Sequence, residues 1–179
     1  VYGAGLLDFD DPVAEWKRIS AEQERWVKYL DTKSEIHIVS EGTDIKVNVK
    51  GRKWINCDGK ANFPDGEIFT SPVEDGVNGY ITFSFPGIYA GKEVEGIKLI
   101  VKDGKVVEAT AKKGEDLLKS LISIDEGASS FGEVAIGTNY GIKNFTKNML
   151  FDEKIGGTVH MAIGDSMEEA GGKNKSSIH

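Results

Sequence analysis

Two different spacings of hydrophobic positions divide the chain. In residues 10–33 apolar side chains recur three and four positions apart, as on one face of a helix: Val13, Trp16, Ile19, Trp26, Val27 and Leu30. Asp10 or Asp11 can cap this helix at its N-terminus, and Pro12 suits its first turn. The pattern therefore predicts one amphipathic N-terminal helix whose two tryptophans belong to a packing face.

Beyond this helix the spacing changes to two, which is typical of strands. The predicted strands are 35–39, 44–49, 52–55, 79–85, 96–101, 106–111, 132–136 and 158–163. Asp103-Gly104 predicts a hairpin, and further helices are predicted at 114–124 and near 142–150. Because strands and helices do not alternate regularly, we expect an α+β fold. Its core would be a mixed, mostly antiparallel sheet or a barrel-like sheet, with the N-terminal amphipathic helix and one or two further helices.

Composition narrows the class of protein. The chain has 179 residues, 39% of them hydrophobic, and a net charge of −7, which suits one globular domain and disfavours binding to nucleic acid by bulk electrostatics. No apolar run approaches the roughly 20 residues that cross a membrane. A single cysteine, Cys57, excludes an intrachain disulfide, and a cytoplasmic location is expected.

The candidate chemistry lies in carboxylates that interrupt apolar or glycine-rich segments, where an unpaired charge is costly. Glu67 follows a Pro64-Asp65-Gly66 turn and begins a short apolar strand. Glu133 stands among small and apolar residues and would share a strand face with Ala135. Each carboxylate, taken alone, is also compatible with a solvent-facing position at a turn or on an edge strand.

A third segment adds histidine to these carboxylates. Glu153 and His160 flank a Gly-Gly turn, and His179 ends the chain. A lone histidine in an apolar strand is usually structural, but imidazole and carboxylates together suit Zn²⁺, Co²⁺ or Mn²⁺. Such a set could hold two ions about 3.5–4 Å apart, as in hydrolytic two-metal sites. His37 lies in the first predicted strand without a comparable group of embedded carboxylates, and it is interpreted as a structural or surface residue.

Several of these segments together resemble one family. The segments, in chain order, are Trp54-Ile55-Asn56, 62–75 (NFPDGEIFTSPVED), 132–139 (GEVAIGTN), 150–160 (LFDEKIGGTVH) and 171–174 (GGKN) with the final His179. They resemble the catalytic half of the thermophilic aminopeptidase family, the aminopeptidase T or aminopeptidase S metallopeptidases, which are leucyl aminopeptidase-like. The resemblance runs from about residue 11 to residue 179.

The resemblance implies a two-domain cytoplasmic enzyme, a homodimer in its full-length form, that removes N-terminal residues from peptides. Its cofactors would be two divalent metal ions, Zn²⁺, Co²⁺ or Mg²⁺. The positions that match the family's metal ligands are Glu67, Glu133, Glu153, His160 and His179. Glu133 would also be catalytic, as a ligand that bridges the ions or lies closest to the water that attacks the peptide carbonyl. No nucleic acid or membrane partner is expected.

Three departures from the family pattern are visible. Met167 stands where the family usually has a tyrosine, and the aspartate that follows the family's final histidine is absent. The family's N-terminal domain is missing, so residues 1–179 are expected to be the C-terminal catalytic, metal-binding domain of a larger two-domain protein. Met167 favours the alternative function, a non-catalytic binding or assembly module that retains the scaffold.

Two roles are only outlined by the sequence. The general base stays open among Glu67, Glu74 and Glu126. Asp65 or Asp152 is expected to orient the histidines from behind the ligands.

Overall fold

The computed structural model describes residues 2–179, and within them eleven strands form three separate antiparallel sheets. The strands are β1 (Glu35–Ser40), β2 (Thr43–Asn48), β3 (Ile55–Cys57), β4 (Glu67–Thr70), β5 (Val77–Thr82), β6 (Gly87–Tyr89), β7 (Lys92–Val94), β8 (Lys98–Lys102), β9 (Lys105–Thr110), β10 (Phe131–Gly137) and β11 (Val159–Ile163). The helices are α1 (Pro12–Leu30), α2 (Glu115–Ile122) and α3 (Met149–Asp152).

The strand orders explain how the chain builds two main sheets. A five-stranded sheet has the order β1-β2-β5-β8-β9, and a four-stranded sheet has the order β11-β10-β4-β3. Strands β6 and β7 form a separate hairpin. The prediction of an α+β fold with a mostly antiparallel sheet is confirmed. Within the described residues neither main sheet closes on itself, so the alternative of a barrel-like sheet is wrong.

One hydrophobic core joins the two main sheets. It contains Ile45 and Val47 from β2, Leu99 and Val101 from β8, and residues of the four-stranded sheet that include Ile68, Val134 and Met161. Strand β2 alternates buried and exposed positions, as expected when one face of a sheet packs and the other meets water. Burial of these apolar faces is the main stabilising force of the fold.

Helix α1 confirms the predicted amphipathic helix and part of its packing face, in which Val27 and Leu30 pack in the main core. Asp11 caps it through a hydrogen bond from the Ala14 amide, and Pro12 is its first residue. Its buried residues are Gln23 and Val27, whereas the side chain of Trp26 is 52% exposed. The apolar stripe is therefore narrower than predicted, because α1 lies against the short edge strand β3 and not across a broad sheet.

Two other local predictions were wrong. The strand predicted at 52–55 begins at Ile55, and the helix predicted near 142–150 is confined to Met149–Asp152. Lys147 has a positive φ of 61°, which an α-helix does not accommodate, and Asn148 then caps α3 by accepting a hydrogen bond from the Leu150 amide. None of the helices in residues 2–179 is long and apolar enough to cross a lipid bilayer.

Candidate metal centre

The four-stranded sheet has two chemically different faces. Ile68 and Val134 point into the main core, whereas their neighbours Phe69 and Ala135 belong to a smaller apolar cluster on the opposite face. Glu67 and Glu133 precede these neighbours by two residues, so alternation along β4 and β10 places both carboxylates on the second face. The predicted shared face of Glu133 and Ala135 is confirmed.

A β-bulge in β10 sets the direction of Glu133. The register between β10 and β11 shifts between Phe131 and Glu133. Phe131 lies in the main core, and without the shift Glu133, two residues later, would face the core as well. The extra residue therefore lets Phe131 and Val134 both face the core while Glu133 faces the opposite side.

Small residues create the space into which the ligand candidates project. Ala135 pairs with His160 on one side and with Phe69 on the other, and Gly137 pairs with Glu67. The central strand thus presents a methyl group and a hydrogen between the longer side chains of Glu67 and His160. A larger residue at Ala135 would occupy that space, whereas a Cβ atom at Gly137 would lie 2.1 Å from the Ile155 carbonyl oxygen.

The turn before β4 fixes the start of the strand. Gly66 has a φ of 116°, and a Cβ atom there would lie 2.8 Å from the Cβ of Asn139, so only glycine fits. The Asn139 amide group donates to the carbonyl oxygens of Asp65 and Ala4. Glu67 therefore enters the sheet from a rigid, internally bonded turn.

Four of the five predicted ligands meet directly. Nε2 of His160 lies 3.0 Å from Oε1 of Glu133 and 3.4 Å from Oε2 of Glu67. Nε2 of His179 lies 3.0 Å from Oε2 of Glu133, so both histidines contact the same carboxylate. Ligand atoms of Glu67, Glu133 and His160 all lie within 4.8 Å of one another.

The fifth residue, Glu153, joins the group through a buried lysine. The side chain of Lys154 is fully buried, and its Nζ atom lies 3.0 Å from Oε1 of Glu67 and 2.5 Å from Oε1 of Glu153. Oδ1 of Asp65 lies 4.0 Å from the same Nζ atom. One ammonium group therefore faces three carboxylates behind the cluster.

The electrostatics of the two central carboxylates differ. Burial raises the pKa of Glu67 to about 7, although the charges of His160 and Lys154 oppose that shift. Burial acts in the same direction on Glu133, but its hydrogen bonds with His160 and His179 outweigh this effect and lower its pKa to about 2. Burial alone would lower the pKa of Lys154, yet the charges of Glu67 and Glu153 hold it above its ordinary value.

A cavity of about 1040 Å³ opens onto this cluster. Glu67, Glu133, Glu153 and His179 lie on one part of its wall, and α1 contributes Trp16 to another part. Ile55, Cys57, Phe69 and Met167 line the cavity too, and these four residues belong to the smaller apolar cluster of the second sheet face. The cavity thus combines acidic and imidazole groups with an apolar wall.

The positions of Asp152 and Asp65 bear on the prediction that one of them orients the histidines. The Asp152 carboxylate accepts hydrogen bonds from the Thr146 amide and hydroxyl, so it does not orient either histidine. Asp65 accepts from the amides of Gly59 and Gly66 and approaches Lys154, so it acts on the lysine instead.

Of the three general-base candidates, only Glu67 lies in the cluster. Glu74 is paired with Arg52, whose Nη2 atom lies 2.7 Å from Oε2. Glu126 is exposed and is not part of the cavity wall. His37 lies exposed on β1, in agreement with its interpretation as structural or surface, but it does have an acidic partner, because its Nε2 atom lies 2.8 Å from Oδ1 of Asp44.

Sequence reasoning missed two residues that support the cluster. Lys154 follows Asp152 and Glu153, and such a charged run normally indicates solvated surface, so no local signal marks it as buried. Gln23 of α1 is 1% exposed and donates from Nε2 to the carbonyl oxygens of Cys57 and Glu67. A glutamine at the centre of an otherwise apolar helix stripe is the one signal that could have identified it.

Comparison with known sequences decides the family. The model of the thermophilic metalloprotease (M29) family matches residues 1–179. The chain belongs to the M29 family. M29 membership accords with the resemblance drawn from the sequence segments and with a divalent-metal cofactor.

Individual M29 proteins are similar over most of this chain. Aminopeptidase AmpS of Bacillus subtilis (strain 168) is 32% identical over 181 residues, which cover 93% of this chain and 44% of AmpS. The structure of wild-type AmpT from Thermus thermophilus superposes with a TM-score of 0.81 at 31% identity and covers 94% of this chain and 48% of AmpT. The chain therefore spans about half the length of these relatives.

A third similarity concerns the fold alone. The structure of a 2,5-dihydroxypyridine dioxygenase from Pseudomonas putida KT2440 superposes with a TM-score of 0.73 at 18% identity. It covers 92% of this chain and 52% of the dioxygenase. Since this fold is shared with a dioxygenase, the function of the M29 chain has to be argued from its site residues.

Proposed function

We propose that this M29 chain carries the metal centre of a metal-dependent aminopeptidase, which removes N-terminal residues from peptides. The observation that carries the proposal is the meeting of Glu67, Glu133 and His160, whose ligand atoms lie within 4.8 Å of one another at the edge of a large cavity. AmpS of Bacillus subtilis and aminopeptidase T of Thermus thermophilus are named as aminopeptidases.

The donor set fits divalent cations. Oε2 of Glu67 is buried and makes no hydrogen bond, although polar atoms in protein interiors are almost always paired. Carboxylate oxygen and imidazole nitrogen are the ligands that Zn²⁺ and Co²⁺ accept, and carboxylate oxygen also suits Mg²⁺. A cation between these groups would give the unpaired Glu67 oxygen a partner.

We assign Glu67, Glu133, Glu153, His160 and His179 as the ligands of two ions. Glu133 has the central position, because it contacts both histidines and borders the cavity. We therefore assign to Glu133 the place nearest the attacking water. Lys154 is excluded from this role, since its fully buried ammonium faces Glu67 and Glu153 from behind.

The protein's own groups organise the reaction around these ligands. The bound ions would supply Lewis-acid activation of the water and of the peptide carbonyl. The cavity binds the peptide's first residue, and its apolar wall of Ile55, Phe69 and Met167 offers an apolar surface to that side chain. In the structure His179 and His160 contact the Glu133 carboxylate from both sides through their Nε2 atoms, which are the atoms that would bind the ions.

The test is release of N-terminal residues by protein loaded with Co²⁺ or Zn²⁺. Peptides that begin with Leu or Ala are expected to lose one residue at a time, and the same peptides with an acetylated N-terminus are expected to resist. A protein that binds the metal but releases no residue would contradict the aminopeptidase activity and favour the non-catalytic module. The homodimer and the cytoplasmic location stay predictions.

A further inference from the structure

His179 reaches the cluster from a short segment that the rest of the protein holds at several points. Its Nδ1 atom lies 2.7 Å from the carbonyl oxygen of Asp165, and its Nε2 atom lies 3.0 Å from Glu133. A carbonyl oxygen can only accept, so Nδ1 carries the proton in that contact and Nε2 is the atom directed at the cluster. The position of the ring therefore depends on what fixes residues 174–179.

Asp125 is the main anchor of that segment. Its Oδ2 atom accepts hydrogen bonds from both the amide and the hydroxyl of Ser177, each at 2.7 Å. Its Oδ1 atom accepts from the Ser176 hydroxyl at 2.8 Å. One carboxylate thus binds two consecutive residues that stand two and three positions before His179.

The same carboxylate is itself held rigidly. Oδ1 of Asp125 accepts from the amides of Gly127 and Ala128, which belong to the loop that leads into β10 and Glu133. Hydrogen bonds from Ser177 above all, and from Ser176 and the Ala128 amide, hold the pKa of Asp125 well below its ordinary value. Asp125 therefore links the histidine-bearing segment to the loop just before the strand that carries Glu133.

Packing leaves the segment little room to shift. A Cβ atom at Gly164, which has a φ of 103°, would lie 2.1 Å from the Ile178 carbonyl oxygen. The Ile178 side chain is 6% exposed, and its carbonyl oxygen accepts from the Asp165 amide at 2.7 Å. These contacts fix the backbone at Ile178, and Asp125 fixes it at Ser176 and Ser177.

We propose that Asp125 is a positioning residue for the metal centre, acting through Ser176 and Ser177 to hold His179 against Glu133. The proposal rests on the function proposed above insofar as His179 is a metal ligand. Asp125 itself does not line the cavity and touches no ligand candidate. The effect on the metal centre that we assign to it is the orientation of the His179 imidazole.

The first test uses metal-free protein and the NMR signals of its histidine rings. Asp125→Asn replaces one of the two acceptor oxygens with an NH₂ group, which cannot accept hydrogen bonds. The contacts with Ser176 and Ser177 are therefore expected to weaken. The His179 ring signals are expected to shift and broaden, while those of His37 stay unchanged. Unaltered His179 signals in Asp125→Asn would overturn the proposal.

The second test measures Co²⁺ affinity in a double-mutant cycle. Asp125→Asn is expected to weaken Co²⁺ binding at least about tenfold, as is usual for groups that orient ligands. In the His179→Ala background the same substitution is expected to have almost no effect on affinity, because the residue through which it acts is gone. Asp31→Asn is the matched control, since that carboxylate binds the distant Trp54 amide, and it is expected to leave Co²⁺ affinity unchanged.

The outcomes separate the two proposals. Equal losses of Co²⁺ affinity from Asp125→Asn with and without His179 would mean a general structural role and overturn the positioning role. If the unsubstituted protein binds no Co²⁺ but the His179 signals still respond to Asp125→Asn, the proposed metal centre fails while the positioning role of Asp125 stands.

Discussion

Nζ of Lys154 lies 3.0 Å from Oε1 of Glu67, although 87 residues separate the two in the chain. The lysine side chain is fully buried, and it also faces Glu153 and Asp65. Three carboxylates share this single ammonium, and burial raises the pKa of Glu67 to about 7 although His160 and Lys154 both face it. A divalent cation at the open side of Glu67 would stabilise its charged form, and in the metal-free protein the lysine contributes to that stabilisation.

Lys154→Met is expected to destabilise the metal-free protein strongly. Methionine keeps much of the side-chain volume but removes the ammonium that Glu67 and Glu153 share and leaves Glu67 with His160 alone, a loss of about 3–5 kcal/mol where both carboxylates are charged. The loss of unfolding free energy is measured by urea unfolding in the presence of a chelator. Lys113→Met is the control, because Lys113 pairs with Glu93 and Glu95 at the surface, where such pairs contribute about 1 kcal/mol or less. Equal effects of the two substitutions would contradict the account of Lys154.

Gln23→Met tests how α1 supports the strand of Glu67. The substitution removes the donors to the Cys57 and Glu67 carbonyl oxygens, at 3.0 and 2.7 Å. The Cys57 oxygen still accepts from the Gly66 amide, so the expected loss of about 1–3 kcal/mol of unfolding free energy comes mainly from the Glu67 oxygen. Glu24→Met, at the exposed next position, is expected to change stability by less than about 0.5 kcal/mol. If both variants unfold at the same urea concentration, the glutamine bonds contribute nothing measurable.

The sequence predicted those site residues that are marked by their immediate neighbours in the chain. Glu67 and Glu133 stand in apolar strands, and a period of two was enough to place Glu133 on the face of Ala135. The β-bulge before Glu133 was not predictable, because it depends on the pairing of β10 with β11. Likewise, the positive φ of Lys147 that shortens the third helix has no counterpart in hydrophobic spacing.

The supporting residues depend on contacts between distant parts of the chain. Lys154 follows two acidic residues, and the partner that it contacts in the interior, Glu67, lies 87 positions earlier in the chain. Asp125 binds Ser176 and Ser177, about 50 residues later, and nothing near Asp125 in the sequence marks that partnership. Local spacing identifies ligand candidates, whereas the residues that hold them require the folded chain.

Met167→Ala is expected to broaden the choice of the peptide's first residue. Met167 lies on the apolar wall beside Phe69, and its truncation leaves space for a larger side chain. A change of this size in an apolar pocket is worth about 1–3 kcal/mol, so the kcat/KM ratio of Phe-initiated over Ala-initiated peptides should rise about tenfold or more. Met149→Ala, an exposed methionine outside the cavity, should leave the ratio unchanged. An unchanged ratio in Met167→Ala with normal metal content would remove Met167 from the pocket that selects substrates.

The central claim is that Glu67 and Glu133 hold divalent metal, and metal content after Co²⁺ loading and dialysis tests it most directly. Glu67→Gln, Glu133→Gln and Glu74→Gln make the same chemical change, but Glu74 is paired with Arg52 away from the cluster. We predict two ions per chain in the unsubstituted protein and in Glu74→Gln, and at most one in Glu67→Gln and in Glu133→Gln. Equal metal content in all four proteins would contradict the assignment of the metal centre.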